Sequence, residues 1–225
     1  MSFNKAIICL ILLLGISAAK AQKYTNNQFV VFSYTVDIDD RVLQELKTVE
    51  SSVNYKPIGK QGKIEALIIH TIYNMVTKTF SDSLKIFFLP SNYFGDKVKL
   101  NDYGYPDIVI QKAIRLADLK YYMKIKASVN NSKYDVKRKK ITDNSFMPVV
   151  NLSIDIYNKF GFDPIQSSKG QGMVTKSINI NNSFLDGMNF ASPDVKVETG
   201  TESLERLINK AVYESLYGIQ NKKQK

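Results

Sequence analysis

The stretch from Lys120 to Val129, Lys-Tyr-Tyr-Met-Lys-Ile-Lys-Ala-Ser-Val, decides the fold. Apolar residues alternate in it with lysine, tyrosine and serine. Successive side chains of a strand point to opposite faces of a sheet, so this alternation predicts a half-buried β-strand. The positions predicted to face the core are Tyr121, Met123, Ile125, Ala127 and Val129.

A second stretch, from Val150 to Phe160, repeats the same alternation. Two strands that each keep one wet face favour antiparallel pairing. The connection between them, residues 130–148, is polar and basic, which is typical of a solvated turn. The core positions predicted here are Val150, Leu152, Ile154, Ile156 and Phe160.

Three further strands are predicted on either side of this pair. Gln28 to Ile38 reads as a strand, and Leu84 to Leu89 is a short apolar run that Pro90 ends. Gly161 to Gln171 is interpreted as a turn, and Gly172 to Ile180 as the third strand of a meander. One face of the first strand is expected to carry Val30, Phe32, Tyr34, Val36 and Ile38.

Four helices are predicted between and after the strands. Asp39 or Asp40 caps a short helix through Val49, with Leu43 and Leu46 inward. Each helix shows a single apolar stripe, which favours packing against one sheet face. The fold class predicted is therefore α+β (an α/β sandwich): a mixed, largely antiparallel sheet with helices packed on one face. The other helices are expected at Lys63–Phe80, Asp107–Leu119 with Val109 inward, and Thr201–Tyr217 with Thr201 as cap.

Residues 1–21 have the features of a secretory signal peptide. Lys5 gives a positive start, Ala6 to Ile16 is apolar but too short for a spanning helix, and small residues stand at positions 19 and 21. We expect cleavage between Ala21 and Gln22 and release into the periplasm or the extracellular space. Residues 22–220 then form a single α/β domain with no transmembrane span, and 221–225 a disordered basic tail. Because the one cysteine lies in the apolar run, the mature chain has no disulfide.

Residues 117–125 (Ala-Asp-Leu-Lys-Tyr-Tyr-Met-Lys-Ile) and 149–170 carry a resemblance to a known module. A helix end, an alternating strand, a polar turn and a second strand follow one another. This resembles the α/β module of bacterial envelope proteins related to the curli secretion channel subunit, the lipoprotein activators of penicillin-binding proteins, and the amino-terminal domain of the Tol translocation protein. The resemblance spans roughly 63–217 and implies a non-enzymatic docking or assembly domain. It differs in lacking a lipoprotein cysteine and in its longer, more basic central connection.

The sequence offers no recognisable catalytic, cofactor or metal motif. His70 is the single histidine and is expected on the exposed side of its helix, away from the apolar stripe. No cysteine nucleophile or Gly-x-Ser-x-Gly pattern occurs in the mature chain. We therefore expect no enzyme but an exported bacterial docking or assembly factor with an envelope protein partner. The alternative is a hydrolase of envelope glycan or lipid that works through a carboxylate pair, which geometry alone would identify.

Two groups of residues are candidate surface contacts. A basic run between the central strands would favour an anionic envelope surface, and export makes nucleic acid an improbable partner. An aromatic group in the 91–106 loop either forms a contact surface or folds back over the sheet. The net charge of +10 fits both an anionic partner and simple solubility. The two groups are Lys137, Arg138, Lys139 and Lys140, and Tyr93, Phe94, Tyr103 and Tyr105.

Overall fold

The computed structural model describes residues 23–50, 55, 57, 62–132, 146–178, 180, 182–185, 188 and 203–221. The expected signal segment with its Ala21–Gln22 cleavage site lies outside these ranges. So do the basic run Lys137–Lys140 and residues 222–225 of the expected tail. Among the described residues, no helix combines the length and the apolar character that crossing a bilayer requires.

Five strands and four α-helices follow one another along the described chain. The strands are β1 (Gln28–Ile38), β2 (Phe87–Phe88), β3 (Tyr121–Asn131), β4 (Pro148–Asn158) and β5 (Gln166–Met173). The helices are α1 (Asp40–Lys47), α2 (Lys63–Leu84), α3 (Ile110–Leu116) and α4 (Leu204–Asn221).

The strands form one mixed sheet in the order β2-β1-β3-β4-β5. β1 runs parallel to both β2 and β3, whereas β3, β4 and β5 form an antiparallel meander. The long parallel pair needs a crossover, which α1 and α2 supply. The predicted α+β class with a mixed sheet is confirmed.

Apolar clusters lie on both faces of the sheet. The larger cluster joins residues of α1, α2 and α4 to the inward residues of β1, β3 and β4. A smaller cluster on the opposite face joins Val30, Phe32 and Tyr122 to Ile110 and Ala113 of α3. Three helices thus share one face, and the short α3 packs on the other.

A β-bulge in β1 changes which residues share a face. Val31 pairs with Met123, but the next partner of β3, Lys124, pairs with Ser33, so Phe32 is the extra residue. An inserted residue shifts the alternation of the strand. The prediction that Val30, Phe32 and Tyr34 face one way is therefore wrong: Tyr34 belongs to the larger cluster.

The predicted third strand of the meander is present, but it lies earlier in the chain, at Gln166–Met173, so the predicted bounds of the turn over 161–171 and of the strand over 172–180 are wrong. The inward positions of β5 include Gly170 and Gly172, which touch the backbone of α4. A Cβ at Gly170 would lie 1.9 Å from the Ala211 carbonyl oxygen, and one at Gly172 would lie 1.8 Å from that of Leu207. Because the helix leaves no room for side chains, β5 lacks the apolar alternation that marks a strand.

Two corrections concern the chain around α2 and α1. α2 continues to Leu84 and ends where Lys85 adopts a left-handed φ of 54°, so the predicted strand over 84–89 shrinks to Phe87–Phe88. Asp39 caps α1 as expected, but Val42 is buried beside Leu46 where Leu43 was predicted.

The remaining corrections concern element ends. α3 begins at Ile110, which leaves Val109 63% exposed instead of inward. β4 ends at Asn158, so Phe160 stands 81% exposed in the following turn. α4 begins one residue after Ser203, whose hydroxyl accepts the Arg206 amide at 3.3 Å, while the predicted cap Thr201 lies outside the described residues.

Candidate functional site

The outer face of β3, β4 and β5 carries a groove of about 560 Å³. Its outward side chains come from alternate positions of three hydrogen-bonded strands, so the sheet register fixes their spacing. It is lined by Lys126, Ala127, Ser128, Asn151, Leu152, Ser153, Lys169, Gly170, Gln171 and Glu214.

Two lysines flank a serine across the groove. Ser153 of β4 pairs with Lys126 of β3 on one side and with Lys169 of β5 on the other. Neighbouring strands lie about 4.8 Å apart, so the two lysine Cα atoms stand ~10 Å apart with the hydroxyl between them. Both lysines are exposed, and neither forms an ion pair with a carboxylate in the described ranges.

The next row of the groove is a hydrogen-bonded floor. The Ser128 hydroxyl oxygen accepts from the amides of Asn130 at 3.0 Å and Asn151 at 3.3 Å. Asn151 in turn accepts from the Gln171 side-chain amide at 2.8 Å. The backbone N–H of Gln171, on the free edge of β5, donates to Glu214 Oε2 at 2.6 Å. These bonds tie three strands and α4 together and hold the floor in one arrangement.

The charged side chains that line the groove are two lysines and one glutamate, Glu214, so its net charge is positive and favours an anionic ligand. Lys124 stands directly opposite Asp155 in the sheet register, which balances that lysine. Lys126 pairs with Thr35 and Ser153, and Lys169 pairs with Ser153, so neither lysine has a carboxylate directly opposite it. Ammonium groups and a hydroxyl are the donors that carboxylates and phosphates accept from. The groove therefore has the chemistry of an anion-binding site.

The aromatic group predicted as a surface contact is largely folded inward. Tyr93 is 42% exposed, but Phe94 and Tyr105 are 4% and 5% exposed. Phe94 packs in the smaller cluster with Val98, and Tyr105 packs edge-on against Tyr34 with ring centroids 4.8 Å apart. The contact-surface interpretation is thus wrong for Phe94 and Tyr105, which follow the alternative of folding back over the sheet.

His70 is half-buried, which corrects its prediction as an exposed residue. Its Nδ1 lies 2.5 Å from the hydroxyl of Tyr105. Desolvation by burial lowers the pKa of the imidazole. On the same helix Glu65 accepts a hydrogen bond from Tyr103. The 101–105 loop folds over α2, a long-range contact that helical periodicity alone does not reveal.

No buried carboxylate supports the hydrolase alternative in the part of the chain that is described. The buried polar residues there are serines and a threonine. Nor do those ranges contain a group of three or more histidine, cysteine or acidic residues arranged to hold a metal.

No family model matches this chain, and no curated protein matches it. Similar solved structures include a hypothetical protein from Chlamydia trachomatis, 6% identical with a TM-score of 0.44 over 87% of this chain and 96% of that chain. The LpoB C-terminal domain from Salmonella enterica is 15% identical, with a TM-score of 0.36 over 66% and 83% of the two chains. A PelC dodecamer from Paraburkholderia phytofirmans is 10% identical, with a TM-score of 0.37 over 88% of this chain and 90% of that chain. These similarities agree in part with the resemblance drawn from the sequence.

Proposed function

We propose that this chain is an exported, non-enzymatic docking protein of the bacterial envelope. The outer-face groove is its docking surface, and an acidic segment of a partner protein is its ligand. The observation that carries this proposal is the row Lys126–Ser153–Lys169, two lysines without a described ion-pair partner above a hydrogen-bonded floor.

The shape of the groove favours a peptide segment over a bilayer. A membrane surface is flat on this scale, whereas Lys126 and Lys169 line a concave site with polar residues between them. A chain in extended conformation places alternate side chains on one side. Successive acidic side chains of such a segment then reach the two lysines in turn.

Export is supported by the amino-terminal sequence. The positive Lys5, the apolar run to Ile16 and the small residues Ala19 and Ala21 are the pattern of a signal peptide. After cleavage the protein acts in the periplasm or outside the cell, where acidic envelope proteins are accessible to it.

The experiment is a binding titration with a fluorescent oligo-glutamate peptide at low and at high salt. The test variant is Lys126→Glu with Lys169→Glu. The control, Lys97→Glu with Lys210→Glu, makes the same change of charge at two exposed positions outside the groove. Exposed ion pairs contribute about 0.2–1 kcal/mol each. Replacing two attractions by repulsions should weaken binding roughly tenfold, which is ~1.4 kcal/mol, at low salt.

Equal loss in the test and control variants would contradict the proposal, because it would show attraction to net charge alone. Absence of binding by the unaltered protein would also contradict it. Co-sedimentation with anionic vesicles, without peptide binding, would assign the lysines to a lipid surface instead. The free energy of unfolding should change by no more than about 0.5 kcal/mol in the test variant, since both lysines are exposed.

A further inference from the structure

A second groove, of about 400 Å³, lies between α2 and α4 on the helical side of the molecule. α2 contributes one continuous stripe at helical spacing, and α4 contributes three residues spaced four apart. The lining residues are Thr71, Asn74, Met75, Lys78, Thr79, Asp82, Ser83, Glu205, Asn209 and Tyr213.

Thr71 forms the floor of this groove and has an unsatisfied hydroxyl. It is 2% exposed, and its hydroxyl oxygen has no hydrogen-bond partner among the described residues. A helical threonine ordinarily bonds a carbonyl one turn back, as Thr77 does to Tyr73 at 2.9 Å. An unpaired buried hydroxyl destabilises the folded state. A ligand that reaches the floor would satisfy this group.

The walls of the groove also carry polar side chains that form no hydrogen bond or ion pair with other described residues. The amides of Asn74 and Asn209 form no hydrogen bond within the described ranges. Asp82 and Glu205 form no ion pair there either. The groove is thus a set of donors and acceptors that the protein leaves unused.

The composition of the walls selects the class of ligand. The carboxylates of Asp82 and Glu205 repel an anion, and the ammonium group of Lys78 offsets part of their attraction for a cation. Amides, hydroxyls and carboxylates together match a ligand whose groups both donate and accept, as sugar hydroxyls do. Tyr213 is 59% exposed and offers a flat apolar ring edged by a polar hydroxyl.

We propose that the α2–α4 groove binds a neutral sugar, with the ring of Tyr213 against the sugar face and the Thr71 hydroxyl at the floor. The groove volume of about 400 Å³ falls in the range of roughly 300–1,000 Å³ that small-molecule sites occupy. This site is separate from the lysine groove on the opposite side of the sheet, and it does not depend on the function proposed for that groove.

The test is calorimetry and heteronuclear NMR of the purified protein with a panel of neutral sugars. The panel contains glucose, galactose, mannose, N-acetylglucosamine and their β-1,4-linked disaccharides, with glucose 6-phosphate and spermidine as charged comparisons. At least one neutral sugar should bind saturably with a Kd of ~1 mM or below, corresponding to about −4 kcal/mol. Its shift changes should map to α2 and α4.

Three variants make the proposal falsifiable. Tyr213→Ala should weaken binding roughly tenfold, whereas Tyr217→Ala, 67% exposed one turn further along α4 and outside the groove, should not. Thr71→Val should also weaken binding while it raises thermal stability, because it replaces an unpaired hydroxyl by a methyl group of similar shape.

Three outcomes would overturn the proposal. They are no binding by any neutral sugar, tighter binding of either charged comparison, and an equal loss in Tyr213→Ala and Tyr217→Ala. Unchanged sugar binding in Lys126→Glu with Lys169→Glu is expected, and it separates this site from the docking groove.

Discussion

At the scale of single residues, the approach of α4 to β5 depends on two glycines. The contacts of Gly170 and Gly172 are with helix backbone, which cannot rotate away as a side chain can. In the sequence, Gly170-Gln171-Gly172 gives no sign of this close packing. Its structural role required knowing where α4 lies, and α4 is more than thirty residues further along the chain.

We expect Gly170→Ala to destabilise the protein by at least about 1–3 kcal/mol, the usual cost of overpacking. The added Cβ would press on the Ala211 carbonyl oxygen and separate α4 from the edge strand. Urea unfolding followed by circular dichroism measures the change. Gly161→Ala is the matched control, because a Cβ there meets nothing within 4 Å and should cost no more than about 0.5 kcal/mol. Equal midpoints for the two variants would show that α4 moves freely.

At the scale of elements, alternation predicted β3 and β4 because each has one buried and one wetter face, whereas residues 29–34 of β1 are all buried. Alternation failed at β5, whose inward positions are Ser168, Gly170 and Gly172. It also failed at Phe32, because this bulge residue is apolar like its neighbours and does not stand out in the sequence. The row of Lys126, Ser153 and Lys169 could not be predicted from the sequence either. Lys126 and Lys169 become neighbours only through Ser153. Their proximity depends on the register between three strands, which the sequence of a single strand does not determine.

The helix that follows β1 offers a test of local capping. The Asp39 carboxylate accepts the backbone N–H of Arg41 at 2.8 Å and satisfies one of the free donors at the start of α1. Asp39→Ala should lower the free energy of unfolding by about 0.5–2 kcal/mol, whereas Asp39→Asn should retain most of it. Guanidinium unfolding measures both. Asp37→Ala, an exposed change two residues earlier, controls for lost charge. A cost for Asp37→Ala equal to that of Asp39→Ala would rule out the cap.

At the scale of the whole molecule, buried tyrosines link the sheet, α2 and the 101–105 loop. Tyr34, Tyr73 and Tyr105 pack with ring centroids 4.5–5.3 Å apart. The Tyr34 hydroxyl also donates to the Ile69 carbonyl at 2.5 Å. Desolvation raises the pKa of all three phenols, that of Tyr73 to about 12.

This cluster should make the protein sensitive to alkali. Above pH 10 the unfolded chain loses phenolic protons that the folded chain retains, so stability falls as pH rises from about 10 toward the raised values. For Tyr73 the loss is on the order of 2–3 kcal/mol between pH 10 and 12. Urea midpoints between pH 8 and 12 measure it. Tyr73→Phe should flatten the decline, and an identical slope in this variant would refute the assignment.

The parallel pairing of β1 with β3 also delays formation of the sheet while the chain is being synthesised. Ile38 ends β1, and its partner strand does not begin until Tyr121. At about 5–20 residues per second this interval lasts roughly 4–17 s, during which Phe29, Val31 and Tyr34 have no neighbouring strand on that side. α2 is completed first, and its Ile69 carbonyl is the partner of the Tyr34 hydroxyl. We therefore expect β1 to pack against α2 before it pairs with β3.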